Sequence, residues 1–108
     1  MVEEKILVVD DSAEVQQQVN EMLSQVGYSV VTCSSGKEAL DFLDTERVDL
    51  VLLDIIMPDL NGYEVCLRIR QKFALDDLPV VFLTNREDYD SITKGFHAGA
   101  SDFVRKTA

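Results

Sequence analysis

The sequence predicts an α/β fold in which a five-stranded parallel sheet is doubly wound, with helices on both faces. Five short apolar runs alternate along the chain with four amphipathic segments, and this alternation is typical of parallel α/β proteins. The run at residues 48–54 is apolar between two aspartates and too short for a helix, as expected of a strand buried on both faces. Of the two strand orders common in such sheets, 2-1-3-4-5 is the better match for 108 residues.

Apolar runs, helix caps and glycines give the boundaries of these elements. Strands are predicted at residues 5–9, 28–32, 48–54, 79–84 and 101–105. Ser12, Ser35 and Asn61 are suitable N-cap residues for the first three helices. The first helix is expected to end at Gly27 and the fourth at Gly99, because glycine readily adopts the backbone conformation that follows a helix.

The spacing of the other helical residues predicts which of them face the core and which face water. Gln16, Gln17 and Gln18 of the first helix are predicted to form a solvated face, whereas Tyr89 and Phe96 of the fourth helix are predicted to lie in the core. An apolar stripe of the first helix is expected to face the sheet: Val15, Val19, Met22, Leu23 and Val26.

Composition and charge narrow the class of protein. Hydrophobic residues make up 46% of the chain and charged residues 28%, which indicates one globular domain, assigned to residues 1–108. The net charge of −10 argues against direct binding to nucleic acid or to an anionic membrane. Cys33 and Cys66 lack metal or redox spacing, and the acidic N-terminus lacks a signal-peptide pattern. A cytoplasmic protein with reduced core thiols is therefore expected.

Polar residues stand where four of the predicted strands end. Asp10 and Asp11 follow the first strand, Asp54 ends the third, Thr84 ends the fourth and Lys106 follows the fifth. In the order 2-1-3-4-5 the first and third strands are neighbours, and ligands bind in the crevice outside the carboxyl ends of such strands. The three aspartates are therefore expected to converge there, with Thr84 and Lys106 on neighbouring strands.

Three carboxylates in one crevice predict a divalent cation. Two such charges repel each other by roughly 4 kcal/mol at ~4 Å and an effective dielectric constant of ~20, so protonation or a bound cation must relieve the repulsion. Few oxygen ligands with open positions suit Mg²⁺ better than a fully caged Ca²⁺. Such a site also binds phosphate, and Lys106 supplies a second positive charge. Asp54 stands alone while Asp10 and Asp11 form a pair, so Asp54 is the predicted nucleophile that forms an aspartyl phosphate.

Four motifs cover these positions: VVDDS at residues 8–12, LDIIMPDLNG at 53–62, FLT at 82–84 and GASDFVRK at 99–106. Together they resemble the receiver domain of two-component response regulators, from Lys5 to Lys106. The resemblance implies a phosphorylation-dependent signalling switch of a phosphorelay, not a turnover enzyme. The phosphoryl donor would be a phosphohistidine on a histidine kinase or a histidine phosphotransfer protein, and an output domain is expected beyond residue 108.

The resemblance also implies how the acidic residues divide their roles. Asp54 would be the phospho-acceptor. Mg²⁺ would be bound by Asp11, Asp54 and the backbone carbonyl of Ile56, while Asp10 would position a metal-bound water.

Further residues are implied to sense the phosphoryl group. Thr84 would reach for it, Phe103 would be the aromatic switch, and Lys106 would pair with a phosphoryl oxygen. Asn85 and Arg86 follow the threonine, and in this family their positions influence how fast the phosphoryl group is hydrolysed.

The sequence departs from the family pattern in two places. Receivers usually follow the lysine with proline through a cis bond, whereas Thr107 follows Lys106 here. This bond is expected to be trans, because a cis bond before a residue other than proline costs about 3–4 kcal/mol. The sequence also ends at Ala108, so the fifth helix of the family is expected to be missing, and the face that it builds incomplete.

Two other classes of protein compete with this interpretation. An aspartyl-nucleophile phosphohydrolase on a similar sheet needs its nucleophile and acid two residues apart after the first strand, whereas Asp10 and Asp11 are adjacent. A flavin-binding domain has a phosphate loop rich in Ser, Thr and Gly, and two aspartates would repel phosphate there without a metal. The phosphohydrolase remains the main alternative.

Overall fold

The computed structural model describes residues 4–84 and 89–105, with Tyr89 described by its backbone alone. The predicted strand boundaries differ from the observed ones by at most two residues. No described helix has the length and apolar character of a membrane span, since the longest has 13 residues. The strands are β1 (Lys5–Val9), β2 (Ser29–Cys33), β3 (Leu50–Asp54), β4 (Val80–Thr84) and β5 (Asp102–Arg105), and the helices are α1 (Ala13–Gln25), α2 (Gly36–Thr45), α3 (Gly62–Arg70) and α4 (Tyr89–Ala98).

The strands form one parallel sheet in the order β2-β1-β3-β4-β5, which confirms the predicted fold class and strand order. Strands β1 and β3 are neighbours, and their last registered pair is Val9 with Leu53. Asp54 lies opposite Leu83 of β4, one residue before Thr84. The carboxyl ends of β1, β3 and β4 therefore lie side by side along one edge of the sheet.

The helices begin and end where their capping residues predict. The side chains of Ser12, Ser35 and Asn61 each accept a hydrogen bond from the backbone N–H three residues later, at 3.3, 3.1 and 2.9 Å. Gly27 and Gly99 have φ angles of +99° and +103°, a conformation that residues with a Cβ rarely adopt. These short-range signals fix where each helix meets the carboxyl edge of the sheet.

The main hydrophobic core lies between the sheet and the layer formed by α2, α3 and α4. Cys33 and Cys66 belong to this core as free thiols. Burial raises the pKa of each thiol to about 11, so both are protonated at neutral pH. Alternate strand residues point into the core, as the pleat requires, and six of them have no exposed surface: Leu7, Val9, Val51, Leu53, Val80 and Phe82.

Helix α1 packs against β1 and β2, on the side where Val8 is buried outside this core. The predicted apolar stripe of α1 is only partly correct. No residue of α1 is buried, and Met22 and Val26 are 61% and 71% exposed. In the described part of the chain β2 is the edge strand, so the sheet offers the last turn of this helix no further strand to pack against.

The loop that follows β3 is fastened to the start of α2 by the carboxylate of Asp59. Its oxygens accept hydrogen bonds from the backbone N–H of Gly36 at 3.1 Å and of Lys37 at 2.9 Å. Such N–H groups of the first helical turn have no partner within the helix. These bonds, led by that of Lys37, hold the pKa of the exposed Asp59 carboxyl below its ordinary value. The segment after Asp54 is thereby tied to a rigid element.

We expect Asp59→Ala to lower the free energy of unfolding by about 0.5–2 kcal/mol, because α2 loses a capping carboxylate. The folded protein lowers the pKa of Asp59, so this stabilisation is present above the ordinary value of 3.8 and is lost as the pH falls below it. Urea unfolding of both proteins between pH 7 and pH 3 measures the effect. Asp41→Ala removes an equal charge from an exposed position of α2. Equal losses in the two variants would contradict the capping role.

Candidate functional site

Three carboxylates meet at the carboxyl edge of the sheet. One oxygen from each of Asp10, Asp11 and Asp54 lies within 4.8 Å of the others. Asp10 has no exposed surface and Asp54 is 6% exposed, whereas Asp11 lies at the surface. At this separation each pair of charges repels by roughly 3–4 kcal/mol at an effective dielectric constant of ~20. The structure thus brings the three aspartates together in a cluster that solvent reaches at Asp11.

The turn between β1 and α1 sets the position of the two adjacent acids. The N–H of Asp10 donates to the carbonyl of Cys33 at 3.1 Å, which continues the pairing of β1 with β2 by one residue. The N–H of Ser12 donates to Oδ1 of Asp10 at 2.9 Å. Since Ser12 also caps α1, the acid turn and the start of the helix form one hydrogen-bonded unit.

The segment after Asp54 turns back on itself. Because Gly62 has no side chain, its backbone can pack directly against the backbone of Asp54 and Ile55. The N–H of Gly62 donates to the carbonyl of Ile55 at 2.7 Å. A Cβ atom at position 62 would lie 2.3 Å from the carbonyl oxygen of Asp54 and 2.8 Å from Cα of Ile55. Any side chain there would displace the backbone of Asp54. The Asn-Gly pair therefore serves two purposes, since Asn61 caps α3 and Gly62 admits the backbone of β3.

The structure also locates three other residues that were predicted to belong to the site. Thr84 ends β4 and is 5% exposed, and Phe103 lies on β5 and is partly buried. The side chain of Ile56 is 66% exposed, two residues after Asp54. Several predictions concern residues outside the described part of the chain: Asn85, Arg86, Lys106, Thr107 and the side chain of Tyr89.

Helical spacing predicts that Gln16 faces water, and for this residue the prediction is wrong. The predicted solvated face holds for Gln17 and Gln18, which are exposed. Gln16 is partly buried, and its side-chain amide donates to the backbone carbonyl of Asp10 at 2.6 Å. A helical repeat cannot reveal this contact, because the acceptor is a backbone carbonyl that can be located only once the strand end and the helix are packed together.

The donor set of the acid cluster fits a small divalent cation. Asp10, Asp11 and Asp54 offer three carboxylates within 4.8 Å, and carboxylate oxygens are the ligands that Mg²⁺ prefers in proteins. Asp11 lies at the surface, so a cation can retain water on that side. Three carboxylates are also fewer than the six to eight oxygen ligands that a Ca²⁺ ion takes. We therefore take the cluster as a candidate Mg²⁺ site.

A row of four aromatic rings runs from α3 across two strands to α4. The ring centroids of Tyr63 and Phe82 are 5.6 Å apart, those of Phe82 and Phe103 5.4 Å, and those of Phe103 and Phe96 5.2 Å. The hydroxyl of Tyr63 donates to the backbone carbonyl of Ser91 at 3.1 Å, which links α3 to α4. Phe96 is 49% exposed, so the prediction that it lies in the core is wrong. Its ring packs at an interplanar angle of 63° against that of Phe103 instead of filling the interior.

Phe103 fits against α4 because position 95 has no side chain. Gly95 is buried in the middle of the helix, where glycine costs about 1 kcal/mol relative to alanine. A Cβ atom there would lie 2.1 Å from Cζ of Phe103 and 3.0 Å from both Cε atoms. Gly95 thus forms a notch in α4 that accepts the tip of the Phe103 ring.

Comparisons with known proteins agree with these observations. The family model for the response regulator receiver domain matches residues 6–108. The chain is 44% identical over 103 residues to the probable transcriptional regulator ycf27 of Guillardia theta, and 43% identical over 102 residues to the response regulator MprA of Mycolicibacterium vanbaalenii. These matches cover 95% and 94% of this chain but only 39% and 43% of the relatives. The chain thus spans about two fifths of their length.

Solved structures share the fold over nearly the whole chain. The chemotaxis protein CheY4 of Vibrio cholerae is 30% identical with a TM-score of 0.92, and the match covers 99% of this chain and 89% of that one. The response regulator TrrA of Thermotoga maritima, solved in complex with Mg²⁺-BeF, is 36% identical with a TM-score of 0.86. That match covers 96% of this chain and 87% of TrrA.

We expect Gly95→Ala to move the Phe103 ring out of its notch, because the new methyl group overlaps the ring. The overlap costs about 1–3 kcal/mol, against a gain of ~1 kcal/mol from the helix propensity of alanine. A double-mutant cycle with Phe103→Ala separates the two terms. The free energy of unfolding should fall for Gly95→Ala in the wild type and rise in the Phe103→Ala background. An equal change in both backgrounds, with unchanged NMR shifts of the Phe103 ring, would contradict the notch.

Proposed function

The chain belongs to the receiver domains of two-component response regulators, and we propose that it acts as a phosphorylation-dependent switch of a phosphorelay. In this proposal Asp54 accepts a phosphoryl group from a phosphohistidine of a partner, which is a histidine kinase or a histidine phosphotransfer protein. The observation that carries the proposal is the cluster of Asp10, Asp11 and Asp54 oxygens within 4.8 Å at the carboxyl edge of a central strand.

Asp54 is suited to act as the nucleophile. One of its carboxylate oxygens attacks the phosphorus atom, the new P–O bond forms, and the P–N bond to the donor imidazole breaks. The released imidazole nitrogen keeps the electron pair and takes a proton from solvent. Asp54 is 6% exposed and Gly62 packs against its backbone, so the residue that carries the carboxylate is fixed in position before the reaction. Mg²⁺, when held by Asp11, Asp54 and the carbonyl of Ile56, would supply charge neutralisation of the phosphoryl oxygens.

The response to phosphorylation would pass through Thr84 and Phe103. Thr84 is buried at the end of β4, beside the strand that carries Asp54, and its hydroxyl would turn toward a phosphoryl oxygen. Phe103 lies on the neighbouring strand β5 with its ring against α4, so a shift of Thr84 would change how that ring packs. Lys106, the residue after β5, would pair with a phosphoryl oxygen.

The proposed context is a cytoplasmic signalling protein in which this domain controls an output module beyond residue 108. The relatives support this context, because ycf27 is named a probable transcriptional regulator and MprA a response regulator. The domain itself would bind neither nucleic acid nor membrane, since its net charge is −10. It would carry a phosphoryl group and lose it, and would not turn over an external substrate.

Asp54→Asn is expected to abolish phosphorylation while the fold is retained, because the amide replaces the nucleophilic oxygen with a group of the same shape. Intact-mass spectrometry after incubation with Mg²⁺ and a small phosphodonor measures the incorporation. The wild type should gain one phosphoryl group, stable in acid and labile in base. Asp41→Asn, the same change at an exposed site on α2, should behave as the wild type. Incorporation at the wild-type rate in Asp54→Asn would overturn the assignment.

The same incubation separates the switch from the alternative phosphohydrolase. A switch consumes about one phosphodonor per lifetime of its phosphorylated form and accumulates phosphoprotein. A hydrolase releases phosphate from many substrate molecules without accumulating a modified protein. Many-fold turnover of unrelated phosphate monoesters by the wild type would favour the hydrolase.

Asp11→Ala is expected to weaken Mg²⁺ binding by at least about tenfold, or ~1.4 kcal/mol, because it removes one of three carboxylates around the candidate site. Isothermal titration calorimetry of the wild type and the variant gives both dissociation constants. Asp41→Ala is the control for the loss of one negative charge from the domain. An Mg²⁺ affinity that is the same in Asp11→Ala and the wild type would count against the site.

A further inference from the structure

We propose that Gln16 is a positioning residue for the metal site: its side-chain amide fixes the turn that carries Asp10 and Asp11. The inference rests on the proposed function, because it concerns the Mg²⁺ site of that function. Spacing along α1 marks Gln16 as one of three equivalent polar residues, whereas the structure gives it different neighbours from the other two.

The amide nitrogen of Gln16 joins the ends of two strands to the first turns of α1. Nε2 lies 2.6 Å from the carbonyl oxygen of Asp10, 3.1 Å from the hydroxyl of Ser34 and 3.4 Å from the carbonyl oxygen of Cys33. An amide nitrogen carries two hydrogens, so the two shorter contacts are its principal bonds. Both hydrogens are thus used at the carboxyl edge of the sheet, beside the acid cluster.

The contact with Gln16 is one of three hydrogen bonds that hold Asp10 in place. Its N–H donates to Cys33, its Oδ1 accepts from the N–H of Ser12, and its carbonyl accepts from Gln16. The carbonyl belongs to the peptide group that joins Asp10 to Asp11, and peptide groups are planar. Fixing the carbonyl therefore fixes the direction in which the chain leaves toward Asp11.

Of the three acids in the cluster, the orientation of Asp11 depends most on the hydrogen bond from Gln16. It lies at the surface, so packing does not confine it as it confines Asp10 and Asp54. Mg²⁺ requires near-ideal octahedral geometry with oxygens at about 2.0–2.1 Å, so a small rotation of the 10–11 peptide moves one ligand out of range. Residues that orient metal ligands typically change metal affinity by about 10–100-fold when they are replaced.

Gln17 is a matched control on the same helix. It is exposed, and its amide contacts the carboxylate of Glu21 at 3.3 Å, away from the strand ends. Methionine has nearly the length of glutamine and keeps a high helix propensity, but it carries no N–H donor. Gln16→Met and Gln17→Met therefore make the same chemical change on two sides of α1 and leave the net charge unaltered.

The experiment is a Mg²⁺ titration of the wild type, Gln16→Met and Gln17→Met by calorimetry, at a temperature where all three are folded. The dissociation constant of Gln16→Met should rise roughly tenfold, and that of Gln17→Met should stay within about twofold of the wild type. Wild-type affinity in Gln16→Met, or equal losses in both variants, would overturn the inference and leave the metal site standing. A wild type that does not bind Mg²⁺ would overturn the site itself and this inference with it.

A second measurement needs no substitution and applies even if Gln16→Met does not fold. In the ¹⁵N-labelled wild type, the side-chain NH₂ signals of Gln16 should exchange more slowly with water than those of Gln17 and Gln18. They should also shift on addition of Mg²⁺, because the carbonyl that they contact belongs to the turn that binds the metal. Exchange as fast as in Gln17, with no Mg²⁺-dependent shift, would overturn the positioning role.

Discussion

The parallel pairing of β1 with β3 is the constraint on which the rest of the molecule depends. Val9 and Leu53 are the last pair in register between these strands, so the residues that follow, Asp10 and Asp54, come side by side at the carboxyl edge of the sheet. The adjacent Asp11 adds a third carboxylate within 4.8 Å. The hydrophobic strands hold the repelling charges together, because the apolar residues on both sides of the sheet cannot rearrange without exposing the core. The acid cluster is therefore a product of the topology and not of attraction among its members.

The segments around the acids are held by contacts that cross between elements. The turn after β1 is fixed to the sheet and to α1 through Asp10, and the loop after β3 is fixed to α2 through Asp59. Gly62 brings the start of α3 against the backbone of β3, so close that a methyl group would overlap it. Of the described segments, the two that carry the acidic site residues are thus each fastened to a helix or a strand. Such loops keep the geometry of the rigid scaffold while leaving Asp11 open to solvent.

Most of the fold could be predicted from the sequence because its signals are local, whereas the meeting of Asp10 with Asp54 also required a strand order taken from other α/β proteins. A strand is a short apolar run, a cap is a serine or asparagine before a helix, and strands end where Asp10, Asp54 and Thr84 stand. Contacts formed by packing could not be predicted. Helical spacing places Gln16 in solvent, because its contact with a backbone carbonyl leaves no mark on the sequence. The same spacing turns Met22 toward the sheet, although the sheet ends at β2 in the described part of the chain and leaves that side chain exposed. The roles of Thr84, Phe103 and Lys106 stay predictions, since they depend on contacts with a phosphoryl group.

A cation bound at the acid cluster would also link the folding equilibrium of the domain to the ions around it. A cation that binds the three gathered carboxylates has no equivalent site in an unfolded chain, where Asp10 and Asp54 lie 44 residues apart in sequence. Mass action then stabilises the folded form by RT ln(1 + [L]/Kd), about 2.7 kcal/mol when the cation concentration is ~100 times its dissociation constant. For a small domain this is a large part of the ~5–15 kcal/mol that separates folded from unfolded protein. If the cluster binds such a cation, the same charges that weaken the fold by their repulsion would make its stability depend on the divalent cations in the solution.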